Sequence, residues 1–355
     1  MNNPTINQDL IEISKSLKDE VKKLKNKTIL ISGGSGFIGN YIVRFILHLN
    51  KKYPNFKCRV ISIDNYITGS KNNLNKFSNN GLKLIEHDIR NPLKISEPID
   101  YIIHAAGVAS PIYYKKFPIE TIETTIYGAK NLLELARIKK IKGFLFFSSS
   151  EIYGDPDPSS IPTPETYRGN VSCTGSRACY DESKRLGETL CLAYHEVHKI
   201  PIKIVRPFNV FGPGMKLNDY RVIPMFFSRA LTNKHLPVHD NGNQTRTFCY
   251  ITDAIIAIYK VLLMGKNGEI YNIGNDTNEI NMMSLANIVS QLFKKKPEVR
   301  SVPYPYKYPS DEPRRRLPDL TKIKTLLNYQ PSVDLITGLK RTKKWYKEMN
   351  LAKLF

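Results

Sequence analysis

Tyr180 and Lys184 stand four residues apart in the stretch Gly169 to Arg185, which reads GNVSCTGSRACYDESKR. If the segment after Cys179 is helical, that spacing puts both side chains on one face. A lysine ammonium beside a phenol favours the phenolate and draws a pKa that starts near ~10 toward the working range of a general base. Tyr180 would then take a proton from a substrate hydroxyl. The same spacing also makes an ordinary packing pair at a solvated edge, so two residues carry little weight alone. The elements that position them have to decide.

Lys27 to Ser32 (KTILIS) reads as a short apolar strand running into Gly33, Gly34, Ser35, Gly36, Phe37, Ile38 and Gly39, then a helical pattern from Tyr41 to Leu49. Glycines at such a turn permit a tight bend, close approach to a pyrophosphate and close helix-to-strand packing, with phosphates at the positive end of the helix. A second strand, Arg59 to Ile63, ends at Asp64, about where a dinucleotide fold needs an acceptor for the adenosine ribose. The charge of Asp64 would repel a 2′-phosphate and so favours NAD over NADP, with Asn65 and Lys71 beside it.

Further strands are expected at Leu82 to Glu86, Tyr101 to Ala105 and Phe144 to Ser148, with a helix over Thr121 to Ala136. This alternation predicts an α/β protein with a Rossmann-type, doubly wound parallel sheet. Asp88 and Ile89 would clasp an adenine ring, and Ala105 and Ala106 are small where a cofactor passes close. Asp155 to Pro164 reads as a loop, followed by the helix of Tyr180 and a strand at Ile202 to Val205. Beyond Phe208, prolines and glycines interrupt more often, which suggests a smaller α+β substrate lobe with segments such as Ile270 to Ile273 returning to the sheet; Val299 to Pro303 is another strand-like piece. At the front, Leu10, Ile13, Leu17, Val21 and Leu24 predict one extra amphipathic helix over residues 8 to 26, packing on the main body or on a partner. The expected division is residues 1–26 as that extension, 27–207 mainly cofactor-binding, and 208–355 mainly substrate-binding.

The 355 residues, 41% hydrophobic and 24% charged, fit a globular chain with a full core. No apolar run approaches a membrane span, and the lysine-rich start lacks a signal-peptide pattern, so a cytoplasmic location is expected. Cys58, Cys173, Cys179, Cys191 and Cys249 form no CxxC pair and meet no His cluster, which points to reduced thiols and no metal site. The net charge of +21 raises nucleic-acid binding, but the lysines are spread along the chain without a recognition motif. A phosphate-bearing small substrate also benefits from a positive field.

The glycine turn, Asp64, the run Ser148-Ser149-Ser150-Glu151-Ile152-Tyr153-Gly154 and the Tyr180/Lys184 pair stand in one order. The chain thereby resembles the extended short-chain dehydrogenases/reductases that act on nucleotide sugars, over about Lys27 to Tyr346. That resemblance implies NAD, a hydroxyl from Ser149 polarising the sugar, Tyr180 as base, and Lys184 orienting the nicotinamide ribose. The segments 165–170, 177–182, 206–209, 218–222 and 244–248, with Glu151 after Ser150 and Arg316 before Pro318, are similar to UDP-glucuronate decarboxylases within that group.

Such enzymes oxidise the C4 hydroxyl, lose carbon dioxide from the resulting β-keto acid and return the hydride. The resemblance then implies that Glu151 positions or disfavours the substrate carboxylate and that Arg316 holds the reactive intermediate. Arg221 and Arg246 would meet the diphosphate, Asn209 would donate to it or to the sugar, and Ser110, Pro111 and Tyr113 would line the sugar pocket. The helices near Ile119 to Ala136 and Tyr180 to His195 would pair with their copies in a homodimer. A 4-epimerase or 4,6-dehydratase of another nucleotide sugar is the alternative enzyme, and a basic, non-catalytic binding protein the alternative outside enzymes. Departures from the usual pattern are Ser149 for threonine, Gly214 for arginine, Ser176 for proline, Ser183 for glycine, Thr125 for asparagine and Leu317 for lysine.

Overall fold

Short apolar runs bounded by turn formers build the centre of the molecule. The computed structural model describes residues 3–77, 81–277, 279–304 and 313–349. Helix α1 (Pro4–Ser16) leads to β1 (Thr28–Ser32), α2 (Phe37–Lys52), β2 (Arg59–Asp64), β3 (Leu82–Glu86) and β4 (Tyr101–His104). Next come α3 (Pro111–Lys116), α4 (Pro118–Lys139), β5 (Gly143–Phe147), α5 (Ala178–His198) and β6 (Ile202–Pro207). The later part holds β7 (Val210–Phe211), α6 (Val222–Leu231), β8 (Leu236–His239), β9 (Thr245–Arg246), β10 (Cys249–Tyr250) and α7 (Ile251–Met264). It closes with β11 (Glu269–Ile273), β12 (Ile280–Asn281), α8 (Met282–Gln291), β13 (Val299–Val302), β14 (Arg315–Arg316), α9 (Thr321–Leu327) and α10 (Leu335–Glu348).

The main sheet runs β11-β6-β5-β4-β1-β2-β3, with every neighbouring pair parallel. Strands β1 and β5 are buried throughout, as expected where helices cover both faces of a parallel sheet. Strand order reverses between β1 and β4, and the crevice that opens at their carboxyl ends is where a doubly wound sheet binds ligands. The Ile270–Ile273 segment does return to the sheet, as β11 beside β6. Val299–Val302 instead pairs in parallel with β8 in a separate two-stranded sheet.

The front of the chain differs from the expected single helix. Helix α1 stops at Ser16, and a separate 3-10 turn follows at Glu20–Leu24. The turn that carries Val21 and Leu24 packs on α7, and α1, which carries Leu10 and Ile13, packs on α7, α2 and α10; all four side chains are buried. Asp9 is wholly buried and accepts from the hydroxyls of Tyr41 on α2 (2.8 Å) and Tyr250 (3.1 Å). Residues 3–24 therefore seat on the main body as part of its core.

Candidate active site

The glycine turn is shaped by close approach. Gly33 takes φ +77°, and a Cβ there would stand 2.7 Å from the Ala106 backbone; one on Gly39 would stand 2.1 Å from the Gly33 oxygen. Gly36 caps α2 without a side-chain bond, so the first-turn amides of α2 are left for a ligand. Asp64, at the end of β2, accepts from the Ser35 amide (3.0 Å) and hydroxyl and from the Tyr66 amide (2.9 Å). Its carboxylate thus organises the turn as well as facing the cleft. Lys71 is paired with Glu86 at 2.7 Å. A cradle free of Cβ atoms, a helix N-terminus and a carboxylate at the next strand end fit the pyrophosphate and ribose of a dinucleotide.

A cavity of about 70 Å³ lies beside that cradle, lined among others by Gly33, Gly36, Asp64, Asn65, Ile89 and Ala106. Ala105 lines both this cavity and a larger one. Asp88 lines neither: its carboxylate is gripped by Arg90 Nε (3.0 Å) and Nη2 (2.8 Å), which holds it below the usual carboxylate range. Of the two residues expected to clasp the adenine, Ile89 lines the cavity, while Asp88 stands beside it holding Arg90.

Helix α5 carries Tyr180 and Lys184 on one face, both buried. The larger cavity, about 720 Å³, is lined by Phe37, Ile38 and Gly39 as well as by Ser149, Glu151, Tyr180, Lys184 and Arg316. The Ser149 hydroxyl lines the same cavity and acts on the Tyr180 phenol electrostatically. Its ring stacks on Tyr114, centroids 5.5 Å apart and planes at 16°. Lys184 donates to the Phe147 oxygen at 2.7 Å, with its ammonium 5.8 Å from the Tyr180 ring centroid. Gly107 makes room for it, since a Cβ there would stand 3.3 Å from Lys184 Nζ.

The expected lysine-driven lowering of the phenol is not what this geometry produces. Burial raises the Tyr180 pKa, opposed first by the neighbouring Ser149 hydroxyl, while the Asp181 charge adds to the rise and those of Arg221 and Arg177 oppose it. Burial also brings Lys184 down to about 8. Desolvation wins at both groups because each charged form has left water. His104, behind Lys184, is brought to about 3 by burial and by the Lys184 charge, and its Nδ1 meets Ser32 Oγ at 2.7 Å.

Glu151 follows Ser149 on a 3-10 turn that the Ser149 hydroxyl caps through the Glu151 amide at 3.2 Å. Its Oε2 is shared between the guanidinium groups of Arg177 and Arg316. The parallel pairing of β14 with β9 sets Arg316 beside Arg246 and delivers it to Glu151 across 165 residues. Arg177 was not singled out by sequence reasoning. It lies three residues before Tyr180 and 3.5 Å from Asp181 at an i, i+4 spacing, and that acidic partner was the available signal.

Ser110, Pro111, Tyr113, Asn209, Arg221 and Arg246 all line the larger cavity. Arg221 is held by Asp219, with Nε to Oδ1 at 2.9 Å, and Ser110 Oγ reaches the same carboxylate at 3.4 Å. Arg246 is buried and donates to the carbonyls of Thr245 (2.8 Å), Arg314 (3.1 Å) and Pro313 (2.6 Å). Asn209, at φ +36°, donates to the Thr247 oxygen at 2.9 Å. Two departures explain each other: Ser183 on α5 donates to the Tyr180 main-chain oxygen (2.9 Å) and lies 3.5 Å from Thr125 on α4, a buried hydroxyl pair between the two helices.

The NAD dependent epimerase/dehydratase family matches residues 29–274. The chain is 43% identical over 315 residues to UDP-glucuronic acid decarboxylase 5 of Arabidopsis thaliana, covering 88% of this chain and 87% of that one. Among solved structures, an epimerase from Methanothermobacter thermautotrophicus superposes with a TM-score of 0.82 at 26% identity, over 94% of this chain and 96% of its own. The dTDP-glucose 4,6-dehydratase of Streptomyces venezuelae, solved with NAD and TYD bound, does so with 0.79 at 28%, over 90% and 97%.

Proposed function

The chain belongs to the NAD dependent epimerase/dehydratase family, and from that premise we propose that it converts UDP-glucuronate to UDP-xylose and carbon dioxide through a 4-keto intermediate. It is an enzyme, a lyase, with NAD as its cofactor. The observation that carries the reading is the Glu151–Arg316 pair in the same cavity as Ser149, Tyr180 and Lys184, so that the redox groups face a carboxylate-handling pair. The 43% identity to a UDP-glucuronic acid decarboxylase supports it.

NAD, when bound, supplies a hydride acceptor for C4 and later returns the hydride. Lys184 holds the nicotinamide ribose. Tyr180, in its phenolate form, would take the proton of the C4 hydroxyl while Ser149 donates to the same oxygen, the positive charge of a bound oxidised cofactor and of Lys184 favouring that form. The 4-keto uronate is a β-keto acid, so the electrons of the bond from C5 to the carboxylate pass to the C4 oxygen as carbon dioxide leaves. Tyr180 and Ser149 stabilise the resulting enolate by hydrogen bonds. Glu151 is placed to position or disfavour the departing carboxylate, with Arg316 and Arg177 fixing it. A solvent proton at C5, the hydride returned to C4 and the Tyr180 proton returned to the C4 oxygen would complete the pentose. Arg221, Arg246 and Asn209 serve the nucleotide end.

A homodimer through α4 and α5 is part of the same proposal. Ile119, Ile122 and Tyr127 on α4, with Leu186 and Val197 on α5, are exposed apolar side chains on these helices. A cytoplasmic setting goes with the five free thiols. Among the described residues no helix is long and apolar enough to cross a membrane. Incubation with UDP-glucuronate tests the function: equimolar carbon dioxide and UDP-xylose are expected, whereas an epimer or an accumulating 4-keto hexose would overturn it.

A further inference from the structure

After β7 the chain crosses the N-terminus of α2. Gly214, at φ +101°, lets this crossing lie against the first residue of that helix: a Cβ there would stand 3.3 Å from Phe37 Cδ2. Met215 is buried, and its main-chain oxygen accepts from the Tyr346 hydroxyl at 3.0 Å, which anchors the crossing to α10. One residue further, Lys216 Nζ donates to the Thr68 oxygen at 2.9 Å, a bond between positions 148 residues apart.

Thr68 lies in the segment after Asp64, and that segment is itself tied to the glycine turn. A Cβ on Gly69 would stand 2.0 Å from Ser35 Oγ, and Asn73 donates to the Ser35 oxygen at 2.9 Å. Thr68 lines both cavities, and Lys216 lines the larger one together with Gly33, Ser35 and Gly36. The bond therefore joins the substrate lobe to the far side of the phosphate-binding turn. Among the described residues Lys216 has no carboxylate partner. Its acceptor is a neutral carbonyl, so the ammonium keeps its charge for phosphates in the cleft.

We infer that Lys216 retains the dinucleotide, its bond to Thr68 forming a strap that has to open before the cofactor leaves. The inference rests on the NAD reading above. Retention matters chemically because the dinucleotide reduced in the first step is the reductant of the last one. If the reduced form escapes, the 4-keto pentose is stranded and the next cycle lacks an oxidant. Lys216 is a positioning residue, acting on the cofactor and on the lobe contact rather than on the reacting carbon.

The test compares the full-length chain with Lys216→Met and Lys216→Arg. Each protein is loaded with NADH and chased with excess NAD, and release is followed by the loss of bound-NADH fluorescence. Lys216→Met is expected to release it roughly tenfold faster, the loss of one charge-assisted hydrogen bond, and to remain folded without dinucleotide, its melting lowered only by the lost bond to Thr68. Lys216→Arg is expected to restore slow release. During turnover of UDP-glucuronate, Lys216→Met should liberate NADH and 4-keto pentose and become dependent on added NAD. Equal release from wild type and Lys216→Met, or release from Lys216→Arg as fast as from Lys216→Met, would overturn the strap alone. A wild-type protein that binds no dinucleotide would overturn the NAD reading along with it.

Discussion

Lys184 Nζ donates a hydrogen bond to the Phe147 main-chain oxygen at 2.7 Å, tying helix α5 to the end of β5 at the floor of the cleft. The residue expected to charge the phenol is thus first a bolt between helix and sheet. Holding this cation out of water is costly, and burial accordingly brings Lys184 to about 8.

Lys184→Met should therefore separate stability from function. A cation whose folded pKa is depressed contributes stability that is present above its unfolded value near ~10.4 and lost as pH falls through about 8. At pH 7 the folded wild type carries that penalty, and the neutral variant does not. The variant is expected to melt higher at pH 7 by an amount worth up to about 3 kcal/mol, with the gain shrinking toward pH 10, while turnover collapses. Melting curves from pH 6 to 10 would show it; a constant difference would refute the argument.

Glu151→Gln leaves Arg177 and Arg316 facing an amide instead of a shared carboxylate. C4 oxidation should survive, visible as bound NADH absorbance, while carbon dioxide release falls on the order of 10²-fold, in the usual range for one positioned acid–base group. Arg177→Met takes one of two cations from Glu151 and an ion-pair partner from the buried Asp181, and is expected to cost about 3–5 kcal/mol in stability. Undiminished carbon dioxide release by Glu151→Gln would remove Glu151 from the mechanism.

Asp64→Ala removes the acceptor at the end of β2 and the anchor of the Ser35 amide together. NAD affinity should drop roughly ten- to a hundredfold, the range for hydrogen bonds to a charged group. NADP affinity should fall less, since the repulsion of a 2′-phosphate goes too. Titration calorimetry with both dinucleotides reads the difference, and a parallel loss would place the whole effect in the turn.

Asp9 links α1 to α2 and to Tyr250, and burial raises it to about 7 against the pull of Tyr41, Tyr250 and Arg341. An acid whose folded pKa is raised gives stability that is complete below its unfolded value near ~3.9 and lost as pH rises through about 7. Asp9→Asn cannot ionise and keeps one acceptor. The wild type should therefore lose ground to the variant between pH 4 and 8, by an amount on the order of 4 kcal/mol. Paired denaturation curves across that range measure it.

Local pattern made much of this protein legible. The strand before the glycines, Asp64 at the next strand end and the four-residue spacing of Tyr180 and Lys184 depend on neighbours in the chain, because turn geometry and helical period are local properties. The line from Lys27 to Val205 accordingly reads as a parallel doubly wound sheet, and the folded chain has one. The break after Ser16 was not legible, since a continuous apolar stripe describes a helix and a helix followed by a 3-10 turn equally well.

What only the tertiary structure decided are the encounters between distant segments. The chain alone names Glu151 and Arg316, but their shared ion pair with Arg177 needs β14 laid beside β9. That Asp88 is paired with Arg90, two residues on, is also a fact of folding. The order of the two pKa shifts at Tyr180 and Lys184 is likewise a matter of burial, which no spacing encodes. By itself the sequence determined which chemical groups the site contains; folding decided which of them are paired and how far each has left water, because desolvation and ion pairing depend on what the rest of the chain brings within a few ångströms.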